Sequence, residues 1–429
     1  MEPVINQSAN TGAEPQLAGA RGPLSAEHSK AILDKLRAQA PDSDILQRHL
    51  AIEDGIAESP LVVGNRTRIL RDGAATFRAM FAAIHGARDH VNLEYYIVQD
   101  VESDGEHLGD LLLAKRAAGL QVNIIYDSYG SNATPAAFFK RLKGGGINVV
   151  SFSSLNPDDR DHRKILVVDG ATAIVGGVNL DTGYEVQPLA KSGGIEGKPS
   201  EFVRDTDLQI DGPVVAQLQK LFLEHWSAQK GPPLNEANFF PSVSPKGKEV
   251  VRILGSTPKD AVPRYYVTVL SAIRNAEQRI WMATAYFVPT QKEVEDLVAG
   301  ARRGVDVRLL LPGQSDSDLA FTVGRSYYRQ LLAGGVKISE TRNEVLHSKV
   351  AVVDGVWTII GSSNFDRRSV LFNDEVDSVV LGRETGQQIE AMFEDDFKQA
   401  TPIELASWED RPLPAKIKEI LYTTWQNQL

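Results

Sequence analysis

Two stretches of the chain carry the same residue types at the same spacing, His162-Arg-Lys-Ile-Leu-Val-Val-Asp169 and His347-Ser-Lys-Val-Ala-Val-Val-Asp354, each reading H-x-K-x-x-x-x-D. Each continues into a glycine and a second apolar run, Ala173-Ile-Val175 or Trp357-Thr-Ile-Ile360, and ends in Gly176-Gly-Val-Asn179 or Gly361-Ser-Ser-Asn364. Asp-Gly between two apolar runs is a favoured hairpin turn. Alternation along a strand puts the His and the Lys, two positions apart, on one side near the strand's start. In both copies 17 residues separate the His from the Asn. A lone H-x-K carries no information, whereas two copies in matching hairpins do.

Gathered in one cleft, two His, two Lys and two Asn suit phosphodiester chemistry. One His can attack phosphorus and store a phosphoryl intermediate, while the other protonates the departing oxygen and later deprotonates the acceptor. Lys164 and Lys349 bring positive charge to the non-bridging oxygens, and Asn179, Asn364 and Ser362 add neutral hydrogen bonds. Such a route needs no metal and no other cofactor. A lysine beside each histidine repels a divalent cation, so a His/Asp metal site is the weaker reading.

Histidines in this work need a carboxylate to fix the tautomer and stabilise the imidazolium. Each half offers one, Asp205 in Arg204-Asp-Thr-Asp207 and Glu375 in Asn373-Asp-Glu-Val-Asp377, and the simplest pairing is within a half: Asp205 with His162, Glu375 with His347. The first half is longer here by a Gly- and Lys-containing loop around Lys191 to Ser200, which is either a substrate lid or an inert surface insertion. Asp169 and Asp354 complete the motifs from the hairpin turn, where turn chemistry or a lobe contact is a simpler role than proton transfer.

The elements that must position these residues occur twice. Residues 59–230 read as a first lobe: a helical pattern over Ala74–Ile84, a strand over Val91–Val98, a helix over Leu108–Ala118, strands over Val122–Tyr126 and Ile147–Val150, then the motif hairpin. Residues 249–402 repeat the order, with strands at Val250–Leu254, Ile280–Val288 and Val307–Leu311 and helices at Tyr265–Ile273 and Val294–Ala301. Leu111–Val122 mirrors Leu297–Val307, and Glu94–Val98 mirrors Ala285–Val288. The expectation is an α/β protein of two similar lobes from an internal duplication, each a mixed sheet flanked by helices, with one active site at their interface. Pro- and Gly-rich residues 231–248 form a linker. Residues 1–58 give a mobile tail to about Pro23 and a short helix capped by Ser25. Residues 403–429 form a helical extension, in which Ile417, Ile420, Leu421 and Trp425 beside Lys416 and Lys418 make a face for a membrane surface or for docking on the second lobe.

Composition bounds the function. The chain has 429 residues, 42% of them hydrophobic, enough for two or three domain cores. A net charge of −10 disfavours the basic face that nucleic-acid binding needs. Absence of cysteine excludes disulfides, thiolate metal sites, palmitoylation and prenylation, and Glu2 stands where myristoylation requires glycine. No apolar run approaches the roughly 20 residues of a membrane span, and Met1-Glu2-Pro3 opens no secretory signal. The expected location is cytoplasmic, with peripheral association at the inner face of the cell membrane.

The paired motifs resemble those of the phospholipase D superfamily. Asn92-Leu-Glu-Tyr-Tyr-Ile97, His162-Arg-Lys-Ile165, Gly176-Gly-Val-Asn179, Arg204-Asp-Thr206, Tyr286-Phe-Val-Pro289, Leu346-His-Ser-Lys349 and Glu375-Val376 are similar to bacterial cardiolipin synthases, over roughly Leu61 to Ala400. The resemblance implies transfer of a phosphatidyl group through a covalent histidine intermediate, with His162 as nucleophile and His347 as acid and base. It counts Lys164, Asp169, Lys349 and Asp354 among the catalytic residues. Phosphatidylglycerol is the implied substrate, with phosphatidylethanolamine or an alcohol as other partners. Water as acceptor makes the enzyme a phospholipase; a phosphodiesterase or nuclease and a catalytically dead scaffold are the competing readings. Many of the similar synthases carry two N-terminal membrane helices, which are absent here.

Overall fold

The computed structural model of the chain describes residues 14–57, 59–185, 202–234, 237–342, 344–412, 414 and 419. Both halves build a sheet of the same strand order. In the first half it runs Asn148–Phe152, Gln121–Asp127, His90–Tyr95, Lys164–Val168, Thr172–Gly176, Thr206–Asp211, Val62–Arg71. In the second it runs Lys337–Glu340, Asp306–Leu311, Arg279–Thr284, Lys349–Val353, Trp357–Gly361, Asn373–Leu381, Glu249–Ser256. The first three strands of each list are parallel and the rest antiparallel, as crossover helices and a tight hairpin respectively demand. Strands Val62–Arg71 and Glu249–Ser256 also pair with one another, which joins the two sheets.

Strand alternation decides the layering. Ile165, Val167, Val350 and Val352 enter one shared core between the sheets, together with Leu208, Ile210, Ile360 and Val376. Leu166 and Val168 enter the first half's outer core, under helices Asp72–Gly86 and Leu108–Ala117. Ala351 and Val353 enter the second half's, with residues of Arg264–Asn275 and Gln291–Arg302. Each motif strand is therefore apolar on both faces, and the expected hairpins form. Asp169 and Gly170 have φ of 51° and 59°, and Asp354 and Gly355 have 51° and 67°, the left-handed pair that a type I′ turn requires.

The expectation of a tail and one short helix before residue 58 needs correction. Two helices form, Ala26–Arg37 and Ile45–Ile56, and Leu17, Leu33, Leu36, Ile45 and Leu50 lie in the second half's core beside Val269 and Trp357. Glu53 is fully buried and binds Arg252 (3.0 Å), His49 (3.0 Å) and the Trp357 indole (3.2 Å). Burial raises its carboxyl, but these partners more than offset it and hold it at about 2. The Gln- and Asn-rich start concealed this segment, and the buried His49 and Glu53 interrupt the apolar pattern of the second helix. The anchor face expected at 415–425 and the loop at 191–200 lie outside the described residues.

Candidate active site

Each motif histidine sits just ahead of its strand, because the ladders begin at Lys164 and Lys349. What holds it is the other half of the chain. Residues Arg160–Asp161 run parallel to Asn373 and Asp374, and the His162 amide donates to the Asp374 carbonyl at 2.9 Å. Val345–Leu346 runs parallel to Val203–Arg204, and the His347 amide donates to the Arg204 carbonyl at 2.8 Å. The next residue on each bridging strand is the carboxylate. His162 Nδ1 therefore lies 3.0 Å from both oxygens of Glu375, and His347 Nδ1 lies 2.8 Å from Asp205 Oδ2. The pairing expected within each half is thus wrong: the carboxylates cross over.

The supports differ between the two sides. Ser362 Oγ donates to Glu375 Oε2 at 2.5 Å and Asn373 Nδ2 donates to Oε1 at 3.0 Å. Ser362 was expected to touch substrate, but its hydroxyl is buried and its proton is used on Glu375. Its counterpart is Gly177, where a Cβ would lie 2.2 Å from Asp205 Oδ1; the close approach of Asp205 leaves room for nothing larger. Tyr184, buried in a 3-10 turn over Thr182–Tyr184, places its hydroxyl 3.0 Å from His347 Nδ1 and 3.3 Å from Asp205 Oδ2. Tyr96 sets its ring edgewise on His162 at 5.2 Å and under Lys164 Nζ at 5.3 Å. The sequence reading passed over both tyrosines.

Lys164 and Lys349 turn back to the carbonyls of His162 and His347 respectively, and Lys349 Nζ lies 2.9 and 3.1 Å from the two ring nitrogens of His347. Burial lowers Lys164 to about 7, opposed by Glu375, and Lys349 to about 8, opposed by Asp205. Burial also lowers His162 well below the usual range, helped by Lys164, Lys349, His347 and Arg368, and lowers His347, helped by Lys349. Glu375 is raised to about 7 by burial, against the pull of Lys164. Burial thus weakens the positive charge of both ammonium groups and both imidazoles, and an anion entering the cleft restores it. Asn364 Oδ1 is buried without a partner, and Asn179 Oδ1 accepts from the Ile97 amide at 3.4 Å.

Asp169 and Asp354 reach neither histidine. Asp169 accepts from the amides of Arg88, Asp89 and His90 at 2.8–3.0 Å, and Asp354 from those of Glu277, Gln278 and Arg279 at 2.8–3.0 Å. They fasten the hairpin turn to the start of the adjacent strand, so counting them as catalytic is corrected to a structural role. Arg163 points away from the cleft, as strand alternation requires, and pairs with Glu94 at 3.2 Å. Glu94 also takes His225 Nδ1 at 2.8 Å. The aromatic mirror is offset too: Tyr95 lies opposite Lys164 and Thr284 opposite Lys349, so Tyr96 corresponds to Ala285 and not to Tyr286.

Comparisons with known proteins agree with this geometry. A family model described as "Cardiolipin synthase, PLD-like domain" matches residues 80–187 and 269–397. A cardiolipin synthase of Geobacillus thermodenitrificans (strain NG80-2) is 33% identical over 414 residues, 92% of this chain and 80% of that protein. Cardiolipin synthase A of Pseudomonas putida (strain GB-1) is 34% identical over 359 residues, 81% and 72% of the two chains. The crystal structure of a phosphatidylserine synthase from Haemophilus influenzae Rd KW20 superposes with a TM-score of 0.66 over 88% of this chain and 98% of that one, at 13% identity, and so shares the fold.

Proposed function

The chain belongs to the phospholipase D-like cardiolipin synthase family, a phospholipid phosphatidyltransferase, and from that membership we propose that it moves a phosphatidyl group between glycerophospholipids through a phosphatidyl-histidine intermediate. The observation that carries the reading is the crossed pairing of each imidazole Nδ1 with a carboxylate of the other half. It leaves Nε2 of His162 for phosphorus and turns Nε2 of His347, with Lys349 Nζ 3.1 Å away, to the departing and attacking oxygens.

In the first step the substrate's anionic phosphate, with Asp205 behind the ring, holds His347 in its protonated form; His162 Nε2 bonds to phosphorus, the bond from phosphorus to the headgroup oxygen breaks, and that oxygen takes the proton from His347 Nε2, which is left neutral. In the second, His347 takes the proton of an acceptor hydroxyl, the acceptor oxygen bonds to phosphorus, and the phosphorus–nitrogen bond of His162 breaks. Lys164 and Lys349 face the non-bridging oxygens, whose charge restores their protons, with Asn179 and Asn364 beside them. Burial first, then Lys164 and Lys349 and last Arg368, favours a neutral, nucleophilic His162. Tyr184 and Asp205 give His347 two partners for carrying a proton.

Phosphatidylglycerol serves as donor, and a glycerol hydroxyl of a second lipid as acceptor. The enzyme meets its lipids at the inner surface of the membrane; no helix among the described residues is long and apolar enough to cross it. Incubation with labelled phosphatidylglycerol, alone and with phosphatidylethanolamine or free alcohols, followed by mass spectrometry of the products, tests this. Cardiolipin and glycerol are the expected products; phosphatidic acid alone marks a hydrolase, and no turnover of any phosphodiester removes the reading.

A further inference from the structure

Arg160 and Arg368 flank the His162 side of the cleft. Arg160 sits 4.1 Å over the Tyr129 ring, and its Nη1 donates to the carbonyls of Pro157 and Asp159 at 2.6 Å each. Its Nε is buried with no partner. Arg368, in the helix Arg367–Leu371, donates to the Asp158 carbonyl at 3.1 Å. The charge of both acts on Tyr96, and that of Arg368 on His162. Among the described residues neither guanidinium meets a carboxylate, and the nearby Asp159 turns to Ser154 and Asn156 at 2.6 Å each. The fully buried arginines behave otherwise: Arg163, Arg204 and Arg252 meet Glu94, Asp72 and Glu53 at 3.0–3.2 Å. A partly buried guanidinium held only by carbonyls keeps a strong demand for an anion.

The duplication supplies an internal control. Arg160 stands two residues before His162, as Val345 stands before His347; Arg368 stands four after Asn364, as Gly183 does after Asn179. At the His347 end the two positions equivalent to these arginines, Val345 and Gly183, carry no charge. The transferred phosphate occupies the lysines at the centre, so a cationic end serves a second negative group.

We propose that Arg160 and Arg368 form a second anion subsite, which holds the phosphate of the acceptor phospholipid while its glycerol hydroxyl attacks. The proposal rests on the phosphatidyltransferase reading and leaves its bond changes as written: the acceptor oxygen bonds to phosphorus, the histidine–phosphorus bond breaks, and the hydroxyl proton goes to His347. The subsite recognises a phosphate ester a glycerol's length from the reacting oxygen. Tyr129, 60% exposed, and Leu371, 44% exposed, border it with apolar surface for the rest of the lipid.

The test compares two acceptors for one activated phosphatidyl donor: glycerol, and a dihexanoyl phosphatidylglycerol kept below its micelle concentration so that no lipid surface exists. For Arg160→Gln and Arg368→Gln, the ratio of acceptor KM values should shift against the phosphate-bearing acceptor by about 10- to 100-fold, the loss expected for one charge-assisted pair. Arg368→Lys, which keeps the charge, should retain most of the preference. Equal KM changes for both acceptors overturn the proposal. So does a loss confined to binding of anionic vesicles, with the acceptor ratio unchanged in solution, which assigns the arginines to the lipid surface instead. Transfer to neither acceptor by the unaltered protein removes the phosphatidyltransferase reading itself, a result separable from any of these.

Discussion

His162 and Glu375 come from opposite halves of the duplicated chain, yet Nδ1 of one lies 3.0 Å from both carboxylate oxygens of the other. Neither half holds a complete dyad, so the duplication survives as one site and not two. Glu375→Gln should lower kcat by about 10²- to 10⁴-fold, as loss of the carboxylate behind a catalytic histidine does. The same change should raise the unfolding free energy at pH 8 by up to roughly 3 kcal/mol. The folded carboxyl titrates at about 7 against a usual 4.5, so its contribution is full below 4.5 and is lost as pH rises through 7. Kinetics and denaturant titration of one variant check both signs; a destabilised, fully active Glu375→Gln protein contradicts the assignment.

The pH dependence should be narrow. Glu375 is ionised only above about 7, while Lys164 and Lys349 lose charge above about 7 and 8. These groups face one another and titrate as a set. The kcat/KM of the free enzyme should peak between about pH 7 and 8, falling to the acid side as Glu375 protonates and to the alkaline side as the lysines discharge. A pH–rate profile flat from pH 6 to 9 would be incompatible with these shifts.

Tyr184→Phe removes a hydroxyl 3.0 Å from His347 Nδ1 and 3.3 Å from Asp205. About a fivefold fall in kcat is expected, the weight of one net hydrogen bond, with the deficit in breakdown of the intermediate and not in its formation. Single-turnover kinetics separate the two steps, and an equal loss in both assigns Tyr184 to packing alone.

Asp169 and Asp354 should matter for folding and not for chemistry. Each accepts three main-chain amides from a left-handed turn position that a short polar side chain tolerates. Asp169→Ala should cost on the order of 2–3 kcal/mol, while kcat per folded molecule stays within about twofold. Thermal unfolding and active-site titration decide; a stable but inactive variant would restore these residues to the catalytic set.

Most of the fold was legible because the chain states it twice: the hairpins, the crossover helices and the shared order of strands follow from patterns of apolar residues. The crossed carboxylates were not, since the contacts that create them are two-residue parallel strands, Arg160–Asp161 with Asn373–Asp374 and Val203–Arg204 with Val345–Leu346, too short to leave a periodic signal. Ser362 resembled a phosphate ligand by position, and only its distance to Glu375 reveals its task. Tyr184 carries a weak signal, five residues beyond Asn179, but its counterpart is Ser369 and the duplication could not point to it.

The central claim is that His162 carries the phosphatidyl group and His347 moves the protons. Mass spectrometry of the His162→Ala and His347→Ala variants, each quenched after mixing with a donor whose leaving group needs little acid help, tests it most directly. The account predicts a phosphatidyl adduct on His162 in the His347 variant and none anywhere in the His162 variant. An adduct on His347 in the His162 variant would contradict it.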